Sequence, residues 1–442
     1  MKKVHGLLYS ILVSGLGALT PAVAWGQATP APSGSAAPVE PAPAPVAPPA
    51  ESAAPAPEPP PPEVAPAPVE PTAAAEAPAP EAPAVPEAPA AEPSKFVITT
   101  GFGLRSSLGI YSHKPKIPSA DGGNGFRMDE LSVEPRFSGK VTDIVGWTAN
   151  FQGSGQTSNS IVNYGAPPPV NGPFPYRFEL QAMDLVAQLD FMPEFHMWFG
   201  RMLTPSDRSN FSGPWFMSPW NYPGSYFVGN GPYVGPRGTE EIGREVGTVV
   251  WGDINEGVFK YYAGVMDLDN TDTLSPLLTG RLGYAIIGKE PGFYGSSTYY
   301  GAQDILALGV GAQYQKQSVP GATKALKEFN ADLLAEFNVT GVGTLTGELA
   351  YYNMDGPAFP VKGAFMGLAS YTTEKPVGVG KIQPLIRFQN TMKPNHTMVD
   401  FWLSYVMKDY FAKLALGYTM VKLDDAASTK TNIVQFGFQI QQ

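Results

Sequence analysis

The chain has 442 residues, a formal net charge of −10 and no cysteine. Without cysteine it forms neither disulfides nor thiolate metal sites, and a lipid anchor on an N-terminal cysteine is excluded. The part after residue 94 carries 27 basic against 30 acidic residues, a near balance that argues against a nucleic-acid partner.

The start of the chain has the pattern of a secretory signal peptide. Two lysines precede the apolar stretch Gly6 to Leu19, and small residues precede two candidate cleavage points, after Ala24 and after Ala28. The alternative, a membrane-spanning helix, is disfavoured because this apolar run is too short to cross a bilayer. We therefore predict a signal peptide over residues 1–28.

Residues 29–94 are rich in proline, alanine and glutamate. Between Ala28 and Ser94, 23 of 67 residues are proline, and no aromatic or basic residue occurs. Such a segment buries too little apolar surface to fold. Its prolines favour an extended chain of roughly 3.1 Å per residue, about 200 Å at full stretch. We interpret it as a disordered periplasmic linker, either a solvated tether or a spacer that contacts the cell wall or a partner.

Residues 95–442 are predicted to form one domain of β-strands, because apolar and polar side chains alternate with period two. In the run 381–389, for example, Ile382, Ile386 and Phe388 alternate with Lys381, Gln383, Arg387 and Gln389. Sixteen such runs follow one another, at 96–111, 128–141, 143–156, 176–190, 194–203, 244–252, 256–268, 276–288, 303–316, 326–338, 342–353, 361–374, 378–390, 397–407, 409–422 and 431–441.

The links between these runs alternate between short turns and longer loops, with one exception at 289–302. This alternation is typical of an outer-membrane barrel with short periplasmic turns and long outer loops. We predict an all-β fold, a 16-stranded antiparallel transmembrane β-barrel that contacts outer-membrane lipid and encloses an open aqueous lumen. A soluble β-sandwich or propeller is disfavoured because its packed core could not hold the charged residues of the polar faces.

The longest outer connection is predicted at residues 204–243. In the preceding strand, Phe195, Met197 and Phe199 are expected to face lipid. The proline, glycine and tryptophan content of the connection suits a compact loop. We expect it to fold inward and narrow the pore, with Arg201 at its root; the alternative role for Arg201 is a surface salt bridge at the rim.

Charged residues predicted to face inward are the candidate pore-lining residues. The basic ones are Arg105, Arg136, Lys140, Lys260, Arg281, Lys381, Arg387 and Lys413, and the acidic ones are Glu134, Glu328, Asp332, Glu336, Glu348 and Asp400. This is a mild cationic excess. Because salt screens charge over roughly 8 Å, groups at a constriction matter most. From the loop we expect Arg208 or Arg237 to face Arg105 or Arg136 across the constriction.

Several short motifs resemble one known family. They are Phe126–Gly139, Met197–Pro205, Gly243–Gly247 with Trp251–Asp253, and Asp304–Tyr314. The sequence resembles the phosphate-selective porin O and P family, which implies a homotrimeric sixteen-stranded channel. The resemblance also implies passive diffusion of small hydrophilic solutes, with a preference for anions such as phosphate. That family's lysine cluster has no counterpart in this sequence, and the C-terminal residues 436–442 depart from the usual terminal aromatic.

Enzymatic and metal-binding functions find little support in the sequence. The histidines are His5, His113, His196 and His396, and no two have metal-ligand spacing or form a recognisable Ser-His pair. Residues 267–272 resemble part of a calcium loop but lack its glycine and distal glutamate, which favours a solvated turn. We therefore predict no enzyme, cofactor or metal; a hydrolase on a barrel is the alternative. The rival function is a structural anchor whose proline-rich arm binds the cell wall or a periplasmic partner.

Overall fold

The computed structural model describes residues 97–114, 125–156, 177–224, 243–267, 275–316, 323–356, 361–424 and 430–442. The predicted signal peptide over residues 1–28 and the linker over residues 29–94 lie outside the described residues and stay predictions. Arg237 also lies outside them.

Sixteen strands and one short helix, α1 (Arg208–Ser212), make up the described secondary structure. The strands are β1 (Val97–Lys114), β2 (Gly125–Lys140), β3 (Val145–Gln156), β4 (Arg177–Met192), β5 (Phe195–Leu203), β6 (Arg244–Ile254), β7 (Phe259–Asp267), β8 (Leu277–Ile287), β9 (Ile305–Gln315), β10 (Leu326–Val339), β11 (Gly343–Asp355), β12 (Gly363–Thr373), β13 (Lys381–Met392), β14 (Thr397–Lys408), β15 (Ala412–Lys422) and β16 (Lys430–Gln441). Every predicted run corresponds to one of them, with ends that agree within three residues.

The strands form a closed antiparallel barrel. Each strand pairs with its neighbours in the chain, and β1 pairs with β16 to close the sheet. Closure leaves no unpaired edge strand, so the backbone polar groups of each strand can bond to a neighbouring strand on both sides. The predicted fold class is confirmed.

Inward and outward side chains alternate along the strands, as expected for a pleated sheet. On β13, Phe388 is 43% exposed on the outside whereas Arg387 is fully buried inside. The outward position predicted for Phe195 and Phe199 is confirmed, since they are 37% and 38% exposed. An apolar outer surface and a polar inner surface are the reverse of a soluble core and fit a barrel surrounded by lipid. No helix of the described residues is long and apolar enough to span a membrane.

The two ends of the barrel differ in their connections. The end at which β1 begins and β16 ends carries short turns, such as 255–258 and 409–411; we call it the turn end. The opposite end carries the connection 204–243 and is called the loop end. The link 288–304 between β8 and β9 belongs to the turn end, although it is much longer than the other turns there.

Candidate functional site

The connection 204–243 folds into the barrel, as predicted, over its described residues 204–224. We call this stretch the inserted loop. Its base is closed by a backbone hydrogen bond from Thr204 N to Gly243 O at 2.7 Å. The side-chain amide of Asn210 reinforces this base by donating to Thr204 O at 3.0 Å and to Ser206 Oγ at 2.8 Å. The side chains of the loop are almost all buried, so it is packed inside the barrel rather than resting on the rim.

Arg208, at the start of α1, anchors the inserted loop to two acidic groups. Its Nε lies 3.3 Å from Asp332 on β10, and its terminal nitrogens lie 2.6 and 2.9 Å from the two oxygens of Glu290. Arg281 on β8 also binds Asp332, at 2.6 and 2.9 Å, and donates to Ser206 O at 2.8 Å. Two arginines and two carboxylates thus form one buried network that joins the loop to the wall.

Glu290 lies outside the strands, and its ionisation is set by this network. Burial alone would raise the pKa of Glu290, but the charge of Arg208 and its hydrogen bond outweigh burial and lower it to about 2. Tyr299 donates its hydroxyl to Glu290 at 2.8 Å, and burial raises the pKa of Tyr299 so that this proton is retained. The carboxylate is therefore charged throughout the physiological pH range.

Two tryptophans of the inserted loop contact the wall at β1 and β2. Trp215 lies over the guanidinium of Arg136 at 4.8 Å, and Trp220 lies over that of Arg105 at 4.2 Å, distances typical of cation–π contacts. The wall is recessed to receive Trp215, because a Cβ added at Gly103 would lie 2.6 Å from the indole. Arg105 and Arg136 therefore face aromatic rings and not Arg208, which binds Asp332 and Glu290. The same prediction for Arg237 falls outside the described residues and stays a prediction.

Trp220 also fills an apolar pocket in the otherwise polar wall. It packs with Leu368, Leu385, Trp402 and Ala415, all buried side chains of β12 to β15. Burial of an aromatic side chain of this size dominates local packing energy. This pocket fixes the middle of the inserted loop laterally, where a wall of polar side chains alone would hold it weakly.

The end of the described loop reaches β13 and β16. Arg387 donates to Asn221 O at 2.7 Å and is ion-paired with Asp400 at 2.8 Å. Asn221 in turn donates to Gln435 at 2.7 Å, and Gly224 N donates to the side chain of Gln389 at 2.6 Å. The inserted loop thus crosses the whole lumen, from β8 and β10 to β13, β15, β16 and β1.

A second stretch enters from the turn end. It is the link 288–304, called the inserted turn here. Ser297 N donates to Phe216 O at 3.2 Å and Ser218 Oγ donates to Ser297 O at 3.3 Å, so the inserted turn meets the inserted loop directly. Its hydroxyls also bind the wall, with Ser297 donating to Glu348 and Thr298 to Glu336, both at 2.6 Å. The link 288–304 is longer than the other turns at this end because it extends into the barrel and contacts both the wall and the inserted loop.

Phe293 of the inserted turn is the centre of an aromatic cluster. Its ring centroid lies 4.6 Å from that of Trp198, 5.3 Å from Phe211 and 5.4 Å from both Trp251 and Tyr262. Three of these residues are inward-facing on β5, β6 and β7, so the wall is aromatic where the inserted turn packs against it. The lumen is therefore not the open aqueous space predicted from the strand number; much of it is filled by packed chain.

The carboxyl groups inside the barrel outnumber the basic groups. Buried acidic residues are Glu134, Asp184, Asp207, Glu245, Asp253, Glu328, Asp332, Glu336, Glu348 and Asp400; buried basic residues are Arg105, Arg208, Arg244, Lys260, Arg281, Arg387 and Lys413. The cationic excess predicted from the sequence is therefore wrong for the described residues. It arose because Asp184, Glu245 and Asp253 were not assigned to the inner face.

Most of the predicted inward basic residues do face inward. Arg105, Arg281, Arg387 and Arg136 are each ion-paired, with Glu130, Asp332, Asp400 and Glu134 respectively. Lys260 donates to Tyr294 O at 3.0 Å and Lys413 donates to Met217 O at 2.9 Å. Lys140 is exposed at the end of β2, and Lys381 is half-buried at the start of β13, so both lie at the turn end.

The pore-lining position predicted for Arg201 is wrong. Arg201 pairs across the sheet with Leu185 and Val246, whose side chains are 45% and 41% exposed on the outer surface. It shares their side of the sheet and that of Phe199, because side chains two residues apart lie on the same face. Arg201 is an outward residue near the loop end, and the surface salt bridge of the rim alternative stays a prediction.

Tyr410 supports the inserted turn from the turn 409–411, which precedes β15. Its hydroxyl donates to Thr298 O and lies 3.0 Å from Ser296 Oγ. Tyr410 therefore faces inward and supports the inserted turn.

Sequence reasoning missed the ion pair between Asp184 on β4 and Arg244 at the start of β6, with N–O distances of 2.8 and 3.3 Å. Alternation of inward and outward residues could not predict that Arg244 is buried. Arg244 and its neighbour Glu245 are both buried at the start of β6, where the strand follows the connection 204–243. Among the described residues, no group of three or more His, Cys, Asp or Glu side chains has the geometry to hold a metal ion.

No protein-family model matches the chain, and no curated protein matches it in sequence. Among solved structures it is similar to an anion-selective porin from Comamonas acidovorans, with 14% identity and a TM-score of 0.50 over 79% of this chain and 100% of that one. It also aligns with the outer membrane channel DcaP of Acinetobacter baumannii, with 11% identity and a TM-score of 0.45 over 78% of this chain and 97% of that one. It aligns as well with Salmonella typhi OmpF in complex with daunomycin, with 8% identity and a TM-score of 0.47 over 78% of this chain and 97% of that one. The likeness to the Comamonas porin concerns the fold, which is that of a sixteen-stranded outer-membrane porin barrel.

Proposed function

We propose that this protein is an outer-membrane porin that lets small hydrophilic solutes diffuse passively. The observation that carries the proposal is the closed sixteen-stranded barrel with an apolar outer and a polar inner surface. Polar inward side chains on β3 and β4, among them Thr148, Asn150 and Gln188, are only half-buried and so remain accessible to water. A lipid-exposed wall around water-accessible polar groups is the construction of a diffusion channel.

The structure supports selection by size more than by charge. Six of the inward arginines are neutralised by carboxylates at ion-pair distance, and ten buried acidic groups face seven buried basic ones. A preference for anions such as phosphate, implied by the resemblance to the phosphate-selective porin O and P family, would rest on Lys260 and Lys413. Each of these ammonium groups already donates to a backbone carbonyl. We therefore propose weak charge selectivity, with phosphate as one of several permitted solutes.

The assembly and location follow from the same proposal. We propose a homotrimer in the outer membrane, with the turn end toward the periplasm, where residues 29–94 would extend after removal of the signal peptide. The rival function, an anchor whose proline-rich arm holds the cell wall, requires no conduction through the barrel. The half-buried polar wall of β3 and β4 has no use in such an anchor and favours the porin.

The test is conductance of the purified protein in planar bilayers, with and without residues 28–94. We expect stepwise channels of equal conductance in both forms, and a reversal potential near zero in a potassium chloride gradient. A strongly anion-directed reversal potential would restore the phosphate interpretation. A correctly folded barrel, judged by heat-modifiable migration on gels, that conducts in neither form would refute the porin function and favour the anchor.

A further inference from the structure

The inserted loop and the inserted turn together cover most of the inner wall. Hydrogen bonds join them to the wall at Arg105, Glu336, Glu348, Gln389, Lys413 and Gln439, which lie on β1, β10, β11, β13, β15 and β16. Along β9 to β16 the inward side chains of the central strand positions are buried throughout. A solute therefore has no access to this side of the lumen along the described residues.

The space between the two inserted segments and β7 to β8 is equally closed. Arg208, Lys260, Arg281 and Glu290 border a cavity of about 20 Å³, which is room for about one water molecule. Hydrogen bonds from Lys260 to Tyr294 O and from Tyr262 to Phe293 O tie the inserted turn to β7 on that side. A cavity of this size offers no path through the barrel.

One part of the wall stays accessible. On β2, β3 and β4 the inward side chains of Ser138, Thr148, Asn150, Gln152 and Gln188 are half-buried, although Glu134 on β2 and Asp184 on β4 are buried. All five are uncharged hydrogen-bonding groups. Their partial exposure means that water reaches them inside the barrel.

Tyr294 of the inserted turn is also accessible. Its side chain is 41% exposed, although its neighbour Phe293 is 3% exposed. Lys260 Nζ of β7 donates to Tyr294 O at 3.0 Å, so this accessible ring belongs to the part of the inserted turn that packs inside the barrel.

We infer that solutes cross the barrel through an off-centre passage between Tyr294 and the polar wall of β2 to β4, and that Tyr294 sets its width. The inference rests on the proposed porin function and adds where the passage runs and which residue limits it. The passage is off-centre because a chain segment enters from each end and both segments pack mainly against other strands, although Trp215 of the inserted loop also lies over Arg136 of β2. Its lining of hydroxyl and amide groups suits small uncharged solutes that form hydrogen bonds.

Cysteine accessibility tests the position of the passage, since the chain has no cysteine of its own. Ser138→Cys on β2 lies at the accessible wall, and Ser404→Cys on β14, 3% exposed in the wild type, is its matched control on the covered wall. A methanethiosulfonate reagent with a quaternary ammonium group, added during bilayer recording, should reduce the conductance of Ser138→Cys and leave Ser404→Cys unchanged. Thr148→Cys serves the same purpose as Ser138→Cys if that variant does not fold.

A conducting channel in which the Ser404→Cys variant is blocked, or in which neither Ser138→Cys nor Thr148→Cys is blocked, would overturn the passage while leaving the porin function intact. Absence of conductance in the wild type would instead refute the porin function itself.

The width of the passage is tested separately: Tyr294→Ala should raise single-channel conductance. Its control is Tyr314→Ala, which removes an equally exposed tyrosine, 42% exposed, from the outer surface of β9 and should leave conductance unchanged. Equal conductance of Tyr294→Ala and wild type would overturn the role of Tyr294.

Discussion

The pair between Glu290 and Arg208 links the inserted turn to the inserted loop, and Glu290→Gln should loosen that link. The pKa of Glu290 is lowered from 4.5 to about 2. At about 1.4 kcal/mol per pKa unit, the charged state contributes about 3 kcal/mol to the docked arrangement. The side chain of Glu290 is 11% exposed, so solvent screens this contribution little. Loss of the charge should raise the population of undocked segments roughly 100-fold.

The assay is single-channel recording in planar bilayers. At pH 7 we expect Glu290→Gln to fluctuate between the wild-type conductance and a higher level, because an undocked turn no longer fills the lumen. Since the pKa of Glu290 is lower in the docked state, the pair is fully stabilising above about pH 4.5 and weakens as the pH falls toward 2. The wild type should therefore acquire the same fluctuations over that acidic range, whereas Glu290→Gln should change little there.

The matched control is Glu256→Gln at the turn end. Glu256 also pairs with a basic residue, Lys289, but the two side chains are 78% and 51% exposed. Such a pair contributes little to stability in water, and no change in the recordings is expected. A Glu290→Gln channel that keeps the wild-type conductance at pH 7 without fluctuations would refute the stabilising role of the Glu290–Arg208 pair. The inserted loop and the inserted turn would then be held together by packing alone.

Three further changes probe the packing inside the barrel. Asp332→Asn leaves Arg281 buried without its carboxylate partner and should lower the free energy of unfolding by about 3–5 kcal/mol, measured by urea denaturation in detergent micelles. Trp220→Ala empties the apolar pocket of the wall at a cost of about 3–5 kcal/mol and should make the inserted loop susceptible to protease; continued resistance would contradict its anchoring role. Gly103→Ala places a Cβ 2.6 Å from Trp215 and should cost about 1–3 kcal/mol, seen as a lower temperature of the heat-induced gel shift.

The faces of the strands could be predicted from the sequence because a two-residue period is a local property. Arg387, Lys413 and Asp332 lie inside as expected, since each sits between outward apolar neighbours. The same rule would have placed Arg201 outside with Phe199. That prediction failed because the position of Arg201 next to a loop was given more weight than its parity in the strand.

The contacts inside the lumen could not be predicted in this way. Arg208 is 124 residues from Asp332 and 82 residues from Glu290 in the chain, and no local pattern relates residues at such separations. One signal was present: the link 289–302 is long where a short turn is expected. A long link at the turn end must extend either into the lumen or toward the periplasm. The aromatic and hydroxyl residues of this link favour the packed interior.

The Trp215–Asn221 stretch has a consequence for how the barrel assembles. It lies over the junction of β1 and β16, the one strand pair whose members are at opposite ends of the barrel sequence. Arg105 of β1 donates to Trp220 O at 3.0 Å, and Gln439 of β16 donates to Trp215 O at 3.0 Å. The donors on β1 and β16 are brought together only after these two strands have paired. The stretch 215–221 therefore docks last and stabilises the strand pair that closes the barrel. Docking of the tryptophans then marks completion of folding, and their fluorescence in a refolding experiment should change together with appearance of the heat-modifiable form.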